Sequence, residues 1–227
     1  LANITLQKGE YAAAQPLYER CLAIIEKTKG HDHPDLAIYL SNLALAHRTL
    51  GDYAGSLPLV TRAIDIEQKA LGPDHPSLAY DLGMLGGTLN GLHRYPEALV
   101  PLRRALAIQE KTLGPDHPDV AETLGTLGLT VSYTGDLAGA RPLLERSWDI
   151  FRKNFGDENM FTAETADNLA RDYQISREAC DEYAARSQQR AAFLQRQRLR
   201  IALLRDARVA LLVGDVRTIT AVQHLDV

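Results

Sequence analysis

Apolar residues in this chain return at helical spacing, in segments separated by short polar breaks. From residue 78 to residue 89, leucines recur at steps of three and four, which places them on one stripe of an α-helix. A second stripe runs from residue 98 to residue 113, and Pro96 suits the first turn of its helix. Gly114 suits a left-handed C-cap, and Pro115 cannot extend a helix. The pattern predicts two antiparallel helices joined by a short turn.

This pair of helices repeats every 42 residues. Gly-Pro-Asp-His-Pro occurs at 72–76 and at 114–118, Asp-His-Pro occurs at 32–34, and a degenerate form follows at 156–159. A fixed period of this length is the signature of a solenoid, so the sequence predicts an all-α fold, an α-solenoid of stacked antiparallel helix hairpins. Columns of identical residues obey the same offset: Ile24, Ile66, Ile108 and Ile150; Leu43, Leu85, Leu127 and Leu169; Arg20, Arg62, Arg104 and Arg146.

Small residues occupy positions at which helices must approach closely. Cys21 lies in one such column, so we expect it in the core. The columns are Ala14, Ala98 and Ala140, and Ala63 and Ala105. Glycines also interrupt the helical pattern of 78–91, where they either allow a tight helix contact or leave a shallow dent in the inner face. No strand precedes them, which excludes a phosphate loop. These glycines are Gly83, Gly86, Gly87 and Gly91.

The hairpins resemble the tetratricopeptide repeat. Its Leu-small pair, its Gly-Asp-Tyr turn and its second-helix alanine match Leu43-Ala44, Gly51-Asp52-Tyr53 and Ala63. The usual period is about 34 residues, so the additional residues here are expected to lengthen the second helix and its exit loop. The segment Leu-Gly-Pro-Asp-His-Pro between hairpins is similar to the kinesin-light-chain type. The resemblance covers residues 1–176 and implies a right-handed superhelix.

The resemblance also implies that the first helices line a concave groove in which partners bind. In kinesin-light-chain-like repeats a column of Asn bonds the backbone of an extended peptide. Asn42 and Asn168 match this column, whereas Met84 and Thr126 depart from it. Arg48 would favour an acidic partner, as would the Arg at 171. The expected groove residues are Asn42, Leu45, Arg48, Met84, Asn90, Thr126, Ser132, Asn168, Arg171 and Gln174.

The two ends of the chain depart from the repeat. Leu1-Ala2 aligns with Leu43-Ala44, so the chain is expected to open inside a first helix. We expect a solenoid over 1–176, with an incomplete first hairpin, three full periods and the start of a further hairpin. An Arg-rich capping helix or pair of helices is expected over 177–213, and a tail over 214–227.

The net charge of −4 is unevenly spread. Residues 177–227 carry 9 Lys and Arg against 6 Asp and Glu, which favours a solvated basic helix over a nucleic-acid site. Cys21 and Cys180 form no disulfide framework, which is typical of a reducing compartment, so we expect a cytoplasmic protein. The sequence shows no signal peptide and no apolar run near the ~20 residues of a membrane span, so no membrane partner is expected.

The histidines of the repeat are candidates for capping rather than for metal binding. His33, His75 and His117 lie in the same loop of successive hairpins, which are spaced by roughly 10 Å. That spacing is too wide for a shared zinc with ligands at ~2 Å, so we expect no metal. The Asp or His is expected to cap the next helix while Pro fixes its first turn.

Nothing in the sequence indicates catalysis. No nucleophile has a neighbouring base and orienting group, and no carboxylate pair is expected at an apolar site. We therefore predict a non-enzymatic protein without a cofactor, a protein-protein interaction scaffold that binds a peptide or a partner helix in its groove. The alternative is a sensor or regulatory arm of a larger signalling or effector protein, beside a nucleotide-driven switch or a caspase-like protease domain.

Overall fold

The computed structural model describes residues 2–7 and 9–156, together with 160–162, 164, 165 and 168. Over this part the chain forms eight helices and no strand. First helices alternate with second helices, each pair being one antiparallel hairpin. The helices are α1 Ala2–Gln7, α2 Tyr11–Lys29, α3 Leu36–Thr49, α4 Tyr53–Leu71, α5 Leu78–Gly91, α6 Tyr95–Leu113, α7 Pro118–Tyr133 and α8 Leu137–Phe155.

The hairpin stack predicted from the sequence is confirmed. Each of the second helices α2, α4, α6 and α8 has 19 residues, whereas the first helices α3 and α5 have 14, so the long period does lengthen the second helix. Within the described residues no helix is long and apolar enough to cross a membrane. The predicted segments 177–213 and 214–227 lie outside the described residues.

The core lies between successive helices and uses the small-residue columns as expected. Ala14, Ala63, Ala98, Ala105 and Ala140 are all fully buried. Cys21, however, is only partly buried, so the expectation that it is a core residue is wrong. Ala63, in contrast, is fully buried and packs in a cluster with Leu36 and Leu40 of α3.

The glycines of α5 play two different parts. A Cβ on Gly86 would overlap the buried side chain of Leu102, so Gly86 permits the tight contact between α5 and α6. The equivalent Ala44 shares a core cluster with the smaller Val60, so side-chain sizes are exchanged between the two columns. A Cβ on Gly83, in contrast, would find no atom within 4 Å, so Gly83 leaves a dent.

In each described hairpin the second helix ends at a glycine whose backbone conformation other residues rarely adopt. Gly114 has φ 89° and ψ 160°, and Gly30, Gly72 and Gly156 are alike. The predicted left-handed helical cap is therefore wrong in ψ, although φ is positive. Pro115 supplies one reason, because proline disfavours helical ψ at the residue before it. The resulting region of positive φ and extended ψ is open essentially to glycine alone.

His117 is the N-cap of α7, as predicted, whereas the N-cap residues of α3 and α5 are Asp35 and Ser77, which make no side-chain cap bond. All three loop histidines nevertheless make the same local hydrogen bond. Nδ1 of His33 accepts a hydrogen bond from the backbone N–H of Asp35 at 3.2 Å. His75 and His117 accept from the N–H two residues on in the same way, at 3.3 and 3.2 Å. Among the described residues no three His, Cys, Asp or Glu side chains are grouped as a metal site requires.

The arginine column fastens each loop to the next hairpin. Arg62 donates to the carbonyl of His31 at 2.7 Å, and Arg146 donates to the carbonyl of Pro115 at 3.1 Å. Arg104 makes the equivalent bond to Pro73. Each of these arginines lies 31 residues after the carbonyl that it binds, so consecutive hairpins are joined in the same way throughout the described stack.

Candidate ligand-binding groove

Successive first helices contact one another directly and so form one layer. The Ser41 hydroxyl of α3 donates to Asp81 Oδ2 of α5 at 2.7 Å. The Asn90 amide of α5 donates to the Thr130 hydroxyl of α7 at 2.7 Å. We call the surface formed by the sides of α3, α5 and α7 that face away from the second helices the inner face.

Most of the predicted groove residues that the structure describes are partly exposed. Asn42, Leu45 and Arg48 lie on α3, and Thr126 and Ser132 lie on α7. Asn168 is also partly exposed, whereas the predicted positions 171 and 174 lie outside the described residues.

Two predicted groove residues are used mainly inside the protein. Met84 is only 5% exposed and packs in a core cluster with Leu82 and Ala105. Asn90 donates its amide to Thr130, while its Oδ1 is buried without a hydrogen-bond partner. Neither side chain offers a ligand the open amide of the family's Asn column.

A single carboxylate is buried between α3 and α5, which the sequence analysis did not identify. Asp81 is 2% exposed and accepts from Ser41. Burial raises the pKa of Asp81 to about 7, Ser41 opposes the shift, and the nearby carboxylate of Glu67 adds to it. A neutral Asp81 can donate to the Ser41 hydroxyl, which then donates to the Ala37 carbonyl at 2.9 Å.

A cavity of about 640 Å³ opens on the inner face between α5 and α7 and reaches α6. All three first helices of the inner face contribute to its walls. Residues that decide its chemistry are Arg48, Tyr80, Gly83, Gln109, Asp119 and Glu122. The expected groove residues Met84 and Thr126 also line it.

Tyr80 and Glu122 were missed by the sequence analysis. Both stand in the column of Ile38, one helical turn before the columns taken as the groove, so the three-to-four spacing would have found them. Tyr80 is 58% exposed, but surrounding groups still desolvate its phenol and raise its pKa. Desolvation also raises the pKa of Glu122, with a further contribution from Asp119.

Arg48 crosses from α3 towards α5. Its Nη1 would lie 3.1 Å from a Cβ on Gly87, and its Nε is buried without a partner. The positive charge acts on Tyr80 and Glu122, where it lowers each pKa against the effect of burial. The guanidinium therefore adds positive charge to a cavity whose other side carries carboxylates.

The model of the tetratricopeptide repeat matches the chain three times, over residues 1–66, 41–111 and 83–153. A model of the thiolase N-terminal domain matches residues 148–198, a short stretch of which the structure describes mainly the end of α8. That match covers too little of the chain to indicate a family. Among curated proteins, none matches the chain.

Solved structures of repeat proteins share the fold. A candidate kinesin light chain from Podosopora anserina with nearly identical TPR-like repeats has a TM-score of 0.69 and 27% identity, covering 86% of this chain and 93% of that one. BtubC (BKLC) from P. vanneervenii has a TM-score of 0.65 and 22% identity, over 89% of this chain and 78% of that one.

A Rap protein complexed with Competence and Sporulation Factor shares the fold at 17% identity. Its TM-score is 0.67, over 99% of this chain and 61% of that one. The repeat matches extend over well more than half of the chain, and the helix pairs, their turns and their loops follow the same pattern. The chain therefore belongs to the tetratricopeptide repeat family.

Proposed function

We propose that the chain is a protein-interaction scaffold that binds a peptide or a partner helix on its inner face and acts by binding rather than by catalysis. Stacked helical repeats create extended binding surfaces of this kind. The observation that carries the proposal is the cavity of about 640 Å³ on the inner face, which three successive first helices line.

Unpaired polar atoms around this cavity support the proposal. Arg48 Nε is buried without a partner at one side, and Gln109 Oε1 is buried without a partner at another. A buried polar group that lacks a partner costs about 1–3 kcal/mol, so such groups are rare unless a ligand completes them. Arg48 is suited to a carboxylate or a backbone carbonyl of the partner, and Asn42 offers an amide nearby on the same helix.

The test is selection from a display library of random linear peptides on the immobilised chain. We expect enriched peptides to lose about tenfold in affinity when Asn42→Ala and Arg48→Ala are combined, which is roughly 1.4 kcal/mol. The matched control combines Gln68→Ala with Arg103→Ala, two exposed polar residues of the second helices α4 and α6. Circular dichroism and thermal unfolding check that both variants fold.

Failure to enrich any peptide would contradict the proposal. Equal losses in the inner-face variant and in the control variant would also contradict it, because binding would then lie elsewhere on the solenoid.

The second candidate is a sensor or regulatory arm of a larger signalling or effector protein. Direct hydrogen bonds between successive first helices support it. Ser41–Asp81 connects α3 to α5, and Asn90–Thr130 connects α5 to α7, so a ligand that spans α3 to α7 would act on hairpins that are already joined. Reading the coding sequence on both sides of the chain tests this candidate. A reading frame that encodes the solenoid alone would sink it.

A further inference from the structure

The wall of the cavity contains an amide oxygen that no residue described by the structure satisfies. Gln109, on the second helix α6, is 8% exposed and lines the cavity. Its Oε1 is buried and accepts no hydrogen bond. An acceptor in this position requires a donor from outside the chain if its desolvation is to be offset.

Equivalent positions in the neighbouring hairpins carry different side chains with different neighbours. Phe151, one period later, stacks on Phe161 with ring centroids 5.5 Å apart. Glu67, one period earlier, interacts with the Ser77 side chain, which lowers the pKa of Glu67 against the effect of burial, although its Oε2 is also buried without a hydrogen-bond partner. The counterpart of Ser77 and Phe161 in the middle hairpin is Asp119. A carboxylate offers no donor in place of the Ser77 hydroxyl, so Asp119 does not satisfy the oxygen of Gln109.

Two missing side chains open the way to this oxygen. A Cβ on Gly83 would find nothing within 4 Å, and a Cβ on Gly87 would meet only Arg48 Nη1 at 3.1 Å. The preceding first helix carries Ser41 and Leu45 at these positions. The following first helix carries Gly125 and Leu129 there, so of α3, α5 and α7 it is α5 that lacks a side chain at both positions. With about 640 Å³ the cavity has room for a long side chain.

The charges around the cavity decide what that side chain is. Asp119 and Glu122 are exposed carboxylates in its lining, against the single guanidinium of Arg48. The carboxylate of Glu164 lies close enough to Glu122 to raise its pKa. Tyr80 adds an aromatic ring, which attracts a cation over its face.

We propose that this cavity is a subsite for a basic side chain, lysine or arginine, of the peptide bound on the inner face. Its aliphatic stem packs along Met84 and Tyr80, and its N–H donates to Gln109 Oε1 while its charge faces Asp119 and Glu122. A carboxylate in the same place would meet three acceptors, and an apolar side chain would leave the amide oxygen unpaired. The subsite rests on the proposed function and specifies the ligand that it takes.

Methyl NMR provides the direct test, because the chain has two methionines. Met84 lines the cavity, and Met160 is 66% exposed and is not part of the lining, so it is an internal control. The methionine methyl groups are labelled with ¹³C, and acetyl-Gly-Xaa-Gly-amide is titrated with Xaa as lysine, arginine, norleucine or glutamate. We expect saturable shifts of Met84 alone with lysine and arginine, about tenfold weaker binding of norleucine, and none of glutamate.

Variants test the residues of the subsite. Gln109→Leu removes the acceptor at similar volume and should weaken the lysine peptide by about tenfold without lowering thermal stability, because the unsatisfied atom is also removed. The control is Gln68→Leu on the exposed side of α4. Gly83→Leu fills the dent and should abolish the Met84 shift. Glu122→Gln, at an exposed position, should weaken lysine binding and serves even if Gln109→Leu folds poorly.

Norleucine or glutamate binding as tightly as lysine would overturn the subsite, and so would a lysine titration that leaves Met84 unshifted. The library selection separates the two proposals. Enriched peptides that lack a basic residue, or that tolerate its replacement, would refute the subsite and leave the binding scaffold intact. Enrichment of no peptide would refute the scaffold itself.

Discussion

The loops between hairpins and the inner face differ in how strictly they repeat. Each described loop between hairpins has the same three features: a glycine of positive φ, a histidine that accepts a hydrogen bond from the N–H two residues on, and a bond from an arginine of the following second helix. On the inner face the equivalent residues differ, as in the column of Ile38, Tyr80 and Glu122. The loops fix the distance between hairpins and must be alike, whereas the proposed binding role would leave the exposed positions of the inner face free to follow the ligand.

Asp81 is expected to have the largest effect on stability, because it is a buried titratable group that the other hairpins lack at this position. Its pKa of about 7 in the fold lies above the ordinary value of 3.8. The folded state then holds a proton that the unfolded state has released, so the contribution of Asp81 to the free energy of unfolding falls as pH rises from about 4 to about 7 and is flat above that range. The loss is on the order of 2–4 kcal/mol.

Asp81→Asn should remove most of this slope and stabilise the chain by roughly 2 kcal/mol at alkaline pH, because an amide at this position carries no charge to desolvate. Urea unfolding across this pH range measures the effect. The exposed Asp65→Asn on α4 is the matched control and should change nothing. An unaltered slope in Asp81→Asn would mean that another group titrates.

Two glycines of one helix sharpen the contrast between packing and binding. Gly86→Ala should cost about 2 kcal/mol, because its Cβ overlaps the buried Leu102. Gly83→Ala should instead stabilise by roughly 0.5–1 kcal/mol, because it faces open space and alanine favours the helix. Adding Leu102→Val to Gly86→Ala recreates the Ala44 and Val60 arrangement of the previous hairpin and should recover most of the loss.

Chemical denaturation of the two single variants and the double variant measures these effects. Additive losses in the double variant would contradict the exchange of size between the two columns.

Uniformity of the loops predicts equal effects at equivalent glycines. Gly72→Ala and Gly114→Ala should each cost about 1–3 kcal/mol, since both have positive φ with extended ψ. Thermal unfolding of the two variants side by side checks the prediction. If the two variants differ in stability by more than the predicted loss for either one, the two loops do not contribute equally to stability.

His93 is the smallest test, at the one turn between paired helices where the repeat departs from its rule. It has φ 59° where Gly9, Gly51 and Gly135 stand in the other hairpins. His93→Gly should stabilise by less than about 1 kcal/mol, because relief of the left-handed strain is partly offset by a more flexible unfolded chain and by loss of the bond to Tyr95. Thermal unfolding measures it, and a clear destabilisation would contradict the strain argument.

The fold and its loops were predictable because they depend on local patterns that repeat. Gly114, Pro118 and His117 act at the helix ends where the sequence places them. The inner face was predictable only in part. Tyr80 was within reach of the helical spacing, but Gln109 belongs to a second helix, and its unsatisfied oxygen depends on what a neighbouring hairpin places beside it.

The burial of Asp81 could not be read from the sequence for a related reason. Apolar periodicity identifies the buried side of a helix, but it does not show that Ser41 supplies a hydrogen-bond partner from another hairpin. Pairings between residues 40 positions apart depend on the offset at which two helices cross, which the repeat period alone does not specify.

The arginine that holds each loop from the next hairpin has a consequence for how such a chain changes in length. Every period contributes both partners of this contact: an arginine that binds the preceding loop, and a loop that is bound by the arginine of the next period. Unequal crossing-over that duplicates or deletes 42 residues therefore leaves matched junctions on both sides. The gene can lengthen or shorten its product by whole units, and each event inserts or removes one hairpin's share of the proposed binding surface.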